Sequence, residues 1–131
     1  MSGETDLDPM LRTLEVDVRE GAWAVLTRAR PDAALDAVAA ARIQEDEGIT
    51  YVVPAATARV QDEVPGFVGA WLSLRVHSAL EAIGLTAAVS RALADAGIAC
   101  NVLAGFHHDH LLVPIARRDD ALAALRSLRT A

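Results

Sequence analysis

The stretch GLTAAVSRALADAGIACNVLAGFHHDHLLVP, residues 84–114, predicts a helix followed by a β-hairpin. The apolar residues of its first half recur every three or four positions, as they do on one face of a helix: Leu85, Val89, Leu93 and Ala96. Gly97 provides the stop at the end of this helix. Two apolar runs follow, residues 98–104 and 110–115, and the polar turn GFHHD between them indicates a hairpin.

The segments around this stretch complete a β-α-β-β-α pattern. Residues 71–77 alternate polar with apolar side chains, so Leu72, Leu74 and Val76 are expected to face a core. Residues 118–131 close the chain as a helix whose inward side carries three leucines: Leu122, Leu125 and Leu128.

The first half of the chain predicts β-β-α-β-α after a short helix near Pro9. A turn at Glu20-Gly21 is expected to pair a strand at 14–18 with a strand at 23–29. A helix over PDAALDAVAAA, residues 31–41, follows and is opened by Pro31 and Asp32. The last two elements are a buried strand over ITYVVP and a short helix over AATARVQDEV.

The two halves contain segments with a similar pattern. EGITYVVPAATARV, residues 47–60, and HDHLLVPIARRDDAL, residues 108–122, both run from an apolar strand through Val-Pro into a short amphipathic helix. Neither half has enough strands to be stable on its own. We therefore predict an α+β, ferredoxin-like protein of two tandem units, 1–66 and 67–131, with antiparallel sheets covered by helices on one face.

Composition and charge exclude several classes of protein. The chain has 131 residues and a net charge of −6 without a basic stripe, so nucleic acid is not an expected partner. Its single cysteine, Cys100, cannot form an internal disulfide, and the acidic N-terminus does not resemble a signal peptide. No apolar run approaches the roughly 20 residues that span a bilayer. We expect a cytoplasmic protein that has no membrane partner.

Residues 84–100 resemble the signature of ACT domains, the small ligand-sensing modules of amino-acid metabolism. That signature reads Gly-Leu-x-Ala-x-(Ile/Val)-x-x-x-Leu-x-x-x-Gly-Ile, and residues 84–98 match it throughout. The wider segment 77–114 is similar to Castor-type ACT proteins, short bacterial chains of two ACT-like units. The chain departs from the pattern at 81–83, where Glu-Ala-Ile replaces the common acid-x-Pro and leaves the shape of the loop open. The resemblance implies a non-catalytic regulatory module that binds an amino acid and needs no cofactor.

A glycine turn that opens a helix is also a physically plausible carboxylate site. The first N–H groups of the helix are unpaired there, with the positive end of the helix dipole behind them. Together with the resemblance, this gives seven candidate ligand-binding residues: Ser78, Glu81, Ile83, Gly84, Leu85, Thr86 and Asn101. Glu81 suits an α-ammonium group, and ACT proteins usually hold their ligand between subunits, against the strand that carries Asn101. The same pattern is also that of an ordinary strand-to-helix turn.

Sheet edges left exposed in so short a chain predict a homodimer. One alternative function is therefore an assembly module that dimerises without a ligand. Another is a small metal-binding protein based on the cluster at residues 107–110, where His108 and His110 would share one side of a strand. Zinc needs three or four ligands, and Cys100 and His77 are the candidates for a third. If no metal binds, the polar side chains of residues 107–110 fill a tight hairpin turn. Cys100 is then a small buried residue of its strand.

Overall fold

The computed structural model describes residues 7–76 and 83–130, which divide into two compact units. The C-terminal unit contains the described residues up to Arg19 and those from Ala70 onward, and the N-terminal unit contains Glu20–Gly69. Each unit combines antiparallel strands with helices. The predicted α+β class with two tandem units is confirmed.

The helices and strands follow one another in this order: α1 Leu7–Arg12, β1 Glu15–Arg28, α2 Ala33–Val38, β2 Ala41–Glu45, β3 Gly48–Pro54, α3 Ala55–Val60, β4 Phe67–Arg75, α4 Leu85–Asp95, β5 Asn101–Ala104, β6 Asp109–Pro114 and α5 Arg118–Ser127. The strand order is β2-β3-β1-β4-β6-β5. Both β1 and β4 cross the boundary between the units, so each unit has a β-α-β-β-α-β composition. The N-terminal unit ends with the start of β4, and the C-terminal unit uses the start of β1 as its additional strand.

The core of the C-terminal unit lies between its strands and helices α1, α4 and α5, and it contains the predicted apolar stripes. Its principal members come from all of these elements: Met10, Leu14, Leu72, Leu74, Val76, Leu85, Val89, Leu93, Leu111, Val113, Leu122 and Leu125. Leu128 packs at its margin. The prediction that Ala96 faces the core is wrong, because α4 ends at Asp95 and Ala96 is exposed. Gly97 takes a φ of +72°, and this allows the Ile98 N–H to bond to the Leu93 carbonyl at 2.9 Å and Ile98 to enter the core.

The predicted hairpin turn at Glu20-Gly21 is wrong. A single strand, β1, continues through both residues from Glu15 to Arg28. Gly21 has a φ of +90°, which distorts a strand locally without reversing its direction.

The structure also contains a strand, β2, that was not predicted, because the residues before it are rich in alanine and favour a helix. Helix α2 was expected to continue to residue 41 but ends at Val38. The Ala40 N–H bonds to the Val52 carbonyl at 2.8 Å, and Ala41 pairs with Val52 in the β2–β3 ladder. Pairing with β3 therefore overrides the helix propensity of alanine, which amounts to only a fraction of a kcal/mol per residue.

Arg28 joins three parts of the N-terminal unit. Its guanidinium contacts Asp32 at 3.0 Å, Glu63 at 2.7 and 2.9 Å, and Gln61 at 2.6 Å. Asp32 also caps α2 by accepting from the Ala34 and Leu35 N–H groups. The hydrogen bond from Arg28 lowers the pKa of Glu63, while the Leu35 N–H and then Arg28 lower the pKa of Asp32.

We expect Arg28→Gln to reduce the acid sensitivity of folding. A carboxylate whose pKa is lowered in the folded state contributes stability above its unfolded-state pKa, about 4.3 for Glu, and this contribution disappears as pH falls through the folded value. Urea unfolding at about pH 7 and about pH 3 should therefore show a smaller loss of stability in Arg28→Gln than in the unmodified protein. Arg118→Gln, at an exposed pair with Asp119, is the matched control. An unchanged loss in Arg28→Gln would contradict this role.

Candidate functional site

The predicted ligand-binding residues at the start of α4 form a glycine turn that enters the helix. Gly84 occupies the N-cap with a φ of +100°, and its carbonyl accepts from the Ala88 N–H at 2.9 Å. Leu85 is buried in the core, whereas Ile83 is 84% exposed and Thr86 is also exposed. Ser78 and Glu81, together with His77, lie outside the described residues.

The first turn of α4 has the electrostatic character expected of a carboxylate receptor. Gly84 has no side chain that could cap the helix, and the N–H groups of the first turn have no acceptor within the helix itself. The positive end of the helix dipole lies at the same place. One side of Gly84 is covered by α1, since a Cβ there would lie 3.2 Å from Leu7 Cδ2. Ile83 and Thr86 are exposed, so a solute can approach the first turn of α4 from their side.

Asn101 lies on the other face of the sheet. It is the first residue of β5, which is at one end of the strand order, and it is exposed. Asn101 pairs with Leu112, the neighbour of Leu111 in β6. Leu111 packs in the core with the helices, and successive side chains of a strand point to opposite faces. Within one protomer the structure therefore does not bring Asn101 to the same layer as the start of α4.

His110 belongs to a polar cluster on the sheet face away from the helices. Its Nδ1 lies 2.7 Å from the Ser73 hydroxyl oxygen, and the Trp71 indole N–H donates to Ser73 at 3.1 Å and to this same Nδ1 at 3.3 Å. The Arg19 guanidinium lies over the Trp71 ring, 5.2 Å from its centre. Burial is the main cause of the lowered pKa of His110. These contacts hold the imidazole in place within the sheet.

The predicted hairpin is present, and the histidines of its turn diverge. β5 pairs with β6, and the Gly105 N–H closes the turn on the His108 carbonyl at 3.0 Å. Within the described part of the chain, His108 Nδ1 is buried and has no hydrogen-bond partner, while His110 contacts Ser73. Among residues 7–76 and 83–130, no three His, Cys, Asp or Glu side chains are placed to hold a metal ion. Cys100 is half-buried, and burial raises the pKa of its thiol.

A cavity of about 450 Å³ opens beside this turn in the C-terminal unit. Five of the described residues line it: Glu15, Arg75, Val76, His107 and His108. Arg75 also donates to Asp17 at 3.1 Å. Sequence reasoning did not associate Glu15 and Arg75 with a site, because only the adjacency of β1 and β4 brings them together.

Two family models described as "ACT domain" match the chain, one over residues 2–63 and the other over residues 67–127. No curated protein sequence matches it significantly. In the part of the chain that the structure describes, none of the helices has the length and apolar character that crossing a membrane requires.

Several solved structures are similar to this chain. A protein of unknown function from Vibrio cholerae, VC0802, described as a possible transport protein, is 31% identical with a TM-score of 0.84, over 93% of this chain and 94% of that one. Atu0741 from Agrobacterium tumefaciens is 18% identical with a TM-score of 0.66, over 88% and 89% of the two chains. Aspartate kinase from Clostridium acetobutylicum, described as an allosteric enzyme, shares the fold at 7% identity and a TM-score of 0.62, over 88% of this chain and 34% of the enzyme.

Proposed function

We propose that this chain, which belongs to the ACT-domain family, is a non-catalytic regulatory module that binds an amino acid at the start of α4. The observation that carries the proposal is the first turn of α4 behind the positive-φ glycine, Gly84, which has no side chain to cap the helix. Both matched segments are ACT domains, and the matches leave only short stretches of the chain uncovered.

In the candidate site, different groups would bind the carboxylate and the ammonium group of an α-amino acid. The backbone N–H groups over Leu85 and Thr86 would bind the carboxylate, because charge-assisted bonds to helix-terminal amides favour anions. Ser78 and Glu81, from the segment before Ile83, would supply the polar contacts, with the Glu81 carboxylate on the α-ammonium group.

A homodimer would place Asn101 at the contact between two protomers. β5 is an edge strand, and its residues Asn101, Val102 and Ala104 are exposed. Edge strands present unpaired backbone groups to other chains, and a two-fold dimer places the same edge of both protomers together. We propose pairing at β5, which puts Asn101 of both protomers beside the junction, on the sheet face away from α4. Light scattering at micromolar concentration that gives the mass of a monomer would contradict the dimer.

A thermal-shift screen across the twenty amino acids tests the proposal. A ligand present at about 100 times its Kd stabilises the folded state by about 2.7 kcal/mol, which raises the Tm of a domain of this size by several degrees. We expect at least one amino acid to do this in a saturable manner. If none changes either the Tm or the oligomeric state, the chain is instead an assembly module, for which the exposed β5 edge provides the surface.

Glu81→Gln separates recognition of the ammonium group from recognition of the carboxylate. The variant should weaken binding of the responding amino acid about ten-fold to a hundred-fold, because a hydrogen bond to a charged group contributes about 1.5–3 kcal/mol. The corresponding 2-hydroxy acid, which lacks the ammonium group, should bind both proteins equally. Calorimetry gives the affinity of the unmodified protein relative to that of Glu81→Gln for each ligand. If this ratio is the same for the amino acid and for the 2-hydroxy acid, Glu81 does not bind the ammonium group.

A further inference from the structure

We propose that the cavity between the start of β1, the end of β4 and the β5–β6 turn is a second binding site, and that its ligand is a small zwitterion with one carboxylate and one ammonium group. This inference goes beyond the site at the start of α4. It rests on different residues, namely Glu15, Arg75, His107 and His108. The cavity volume of about 450 Å³ is in the range of pockets that bind small molecules.

The first step of the argument is the pair of opposite charges in the lining. The Arg75 guanidinium is half-exposed, and among the described residues its side chain bonds only to Asp17, through Nη1. Toward the described residues, the rest of its planar fork is available for a carboxylate. Glu15 is an exposed carboxylate on the neighbouring strand. A ligand carboxylate on Arg75 and a ligand ammonium on Glu15 would each form a charge-assisted hydrogen bond.

The second step is the spacing of these two charges. The bond between Asp17 and Arg75 fixes the local register of β1 against β4, and Glu15 precedes Asp17 by two residues on the same face of β1. Two residues of a strand span roughly 7 Å. The two charged ends of an α-amino acid, with one hydrogen bond at each end, span roughly 8 Å. The spacing of Glu15 and Asp17 along β1 is therefore comparable with the length of a small zwitterion.

The third step concerns the two imidazoles. Both line the cavity, and His108 Nδ1 is buried without a hydrogen-bond partner among the described residues. His107 packs edge-on against Phe106 with 5.0 Å between the ring centres. The turn that carries them is tight, because a Cβ on Gly105 would lie 2.7 Å from the His108 carbonyl oxygen. The turn therefore holds both imidazoles at the wall of the cavity, where their signals report on a bound molecule.

The charge balance distinguishes a zwitterion from a simple ion. Asp17 already offsets part of the charge of Arg75, and Glu15 adds a further negative charge. A simple anion would bind beside two carboxylates, and a simple cation would bind beside the guanidinium. A molecule that carries both charges meets an opposite charge at each end, which is electrostatic complementarity of the kind that gives specificity.

The test is an NMR titration that follows the imidazole signals, assigned with His→Gln variants. The twenty proteinogenic amino acids are added in turn, glycine first, with acetate and methylammonium as matched half-ligands at the same concentrations. We expect at least one amino acid to shift the His107 and His108 signals in a saturable manner while His110, bonded to Ser73, stays unchanged. Neither half-ligand should saturate the shift. No saturable shift with any amino acid, or equal saturation by acetate or methylammonium alone, would overturn the proposal.

Two variants and one control locate the effect. Glu15→Gln and Arg75→Gln should each weaken the amino acid about ten-fold or more, while each keeps a melting temperature close to that of the unmodified protein because both side chains are exposed. Ile83→Asp, at the start of α4, should leave this titration unchanged. If Ile83→Asp abolishes the shift while Glu15→Gln and Arg75→Gln do not, the ligand binds only at α4 and the second site is overturned.

Discussion

Replacing Gly48 with alanine should lower the free energy of unfolding by about 3 kcal/mol. A Cβ at this position would lie 2.5 Å from the carbonyl oxygen of Arg28, which belongs to the neighbouring strand backbone and cannot move aside. Gly48 also has a φ of +148°, a conformation that residues with a side chain rarely adopt. Urea unfolding followed by circular dichroism measures the loss.

Gly97→Ala is the matched control for this effect. Gly97 also has a positive φ, +72°, but a Cβ there meets no atom within 4 Å. Only the left-handed backbone penalty remains, about 1–2 kcal/mol. If both alanine variants lose the same stability, the close approach of Arg28 does not decide the requirement for glycine at position 48.

Ile83→Asp should eliminate binding of the amino acid at α4 while the protein remains folded. The side chain is almost fully exposed, so its replacement costs little packing. A carboxylate next to the first turn of α4 interacts favourably with the helix dipole and competes for the same N–H groups. It also repels the carboxylate of the ligand, so affinity should fall at least ten-fold, or by about 1.4 kcal/mol or more.

Ile83→Asn separates charge from shape in the same position. Asparagine is nearly isosteric with aspartate but neutral, so most of the affinity should survive. Gly84→Val is a second probe, since it requires a valine at a φ of +100° and a Cβ that lies 3.2 Å from Leu7 Cδ2. Gly84→Val also strains the fold, so a loss of binding in that variant has two possible causes. The comparison of Ile83→Asp with Ile83→Asn therefore decides whether the carboxylate binds at α4. Equal binding by both would show that the carboxylate is not bound at α4.

The elements that sequence predicted best are those specified by local signals. Helix α4 has an apolar stripe with glycine at each end, and the β5–β6 hairpin has two apolar runs around a polar turn. Gly21 illustrates the limit, because a glycine in the sequence can mark either a reversal of the chain or a distortion within one strand. The end of α2 likewise depends on pairing between Ala41 and Val52, which a local pattern does not contain.

The candidate site was predictable only where its residues are close in sequence. The turn at Gly84 could be inferred from residues 84–98, whereas the cavity requires Glu15 and Arg75, which are far apart in sequence and meet because β1 lies beside β4. His110 shows the same limit. Its sequence neighbours suggested a metal ligand, but its hydrogen-bond partner, Ser73, comes from β4.

Calorimetric titration of the unmodified protein, Ile83→Asp and Ile83→Asn tests the central claim most directly. The titrant is the amino acid that raises the melting temperature. The account predicts saturable binding to the unmodified protein and to Ile83→Asn, and a loss of at least ten-fold in Ile83→Asp. Heat of binding that is absent for every amino acid, or that is the same for all three proteins, would contradict a carboxylate site at the start of α4.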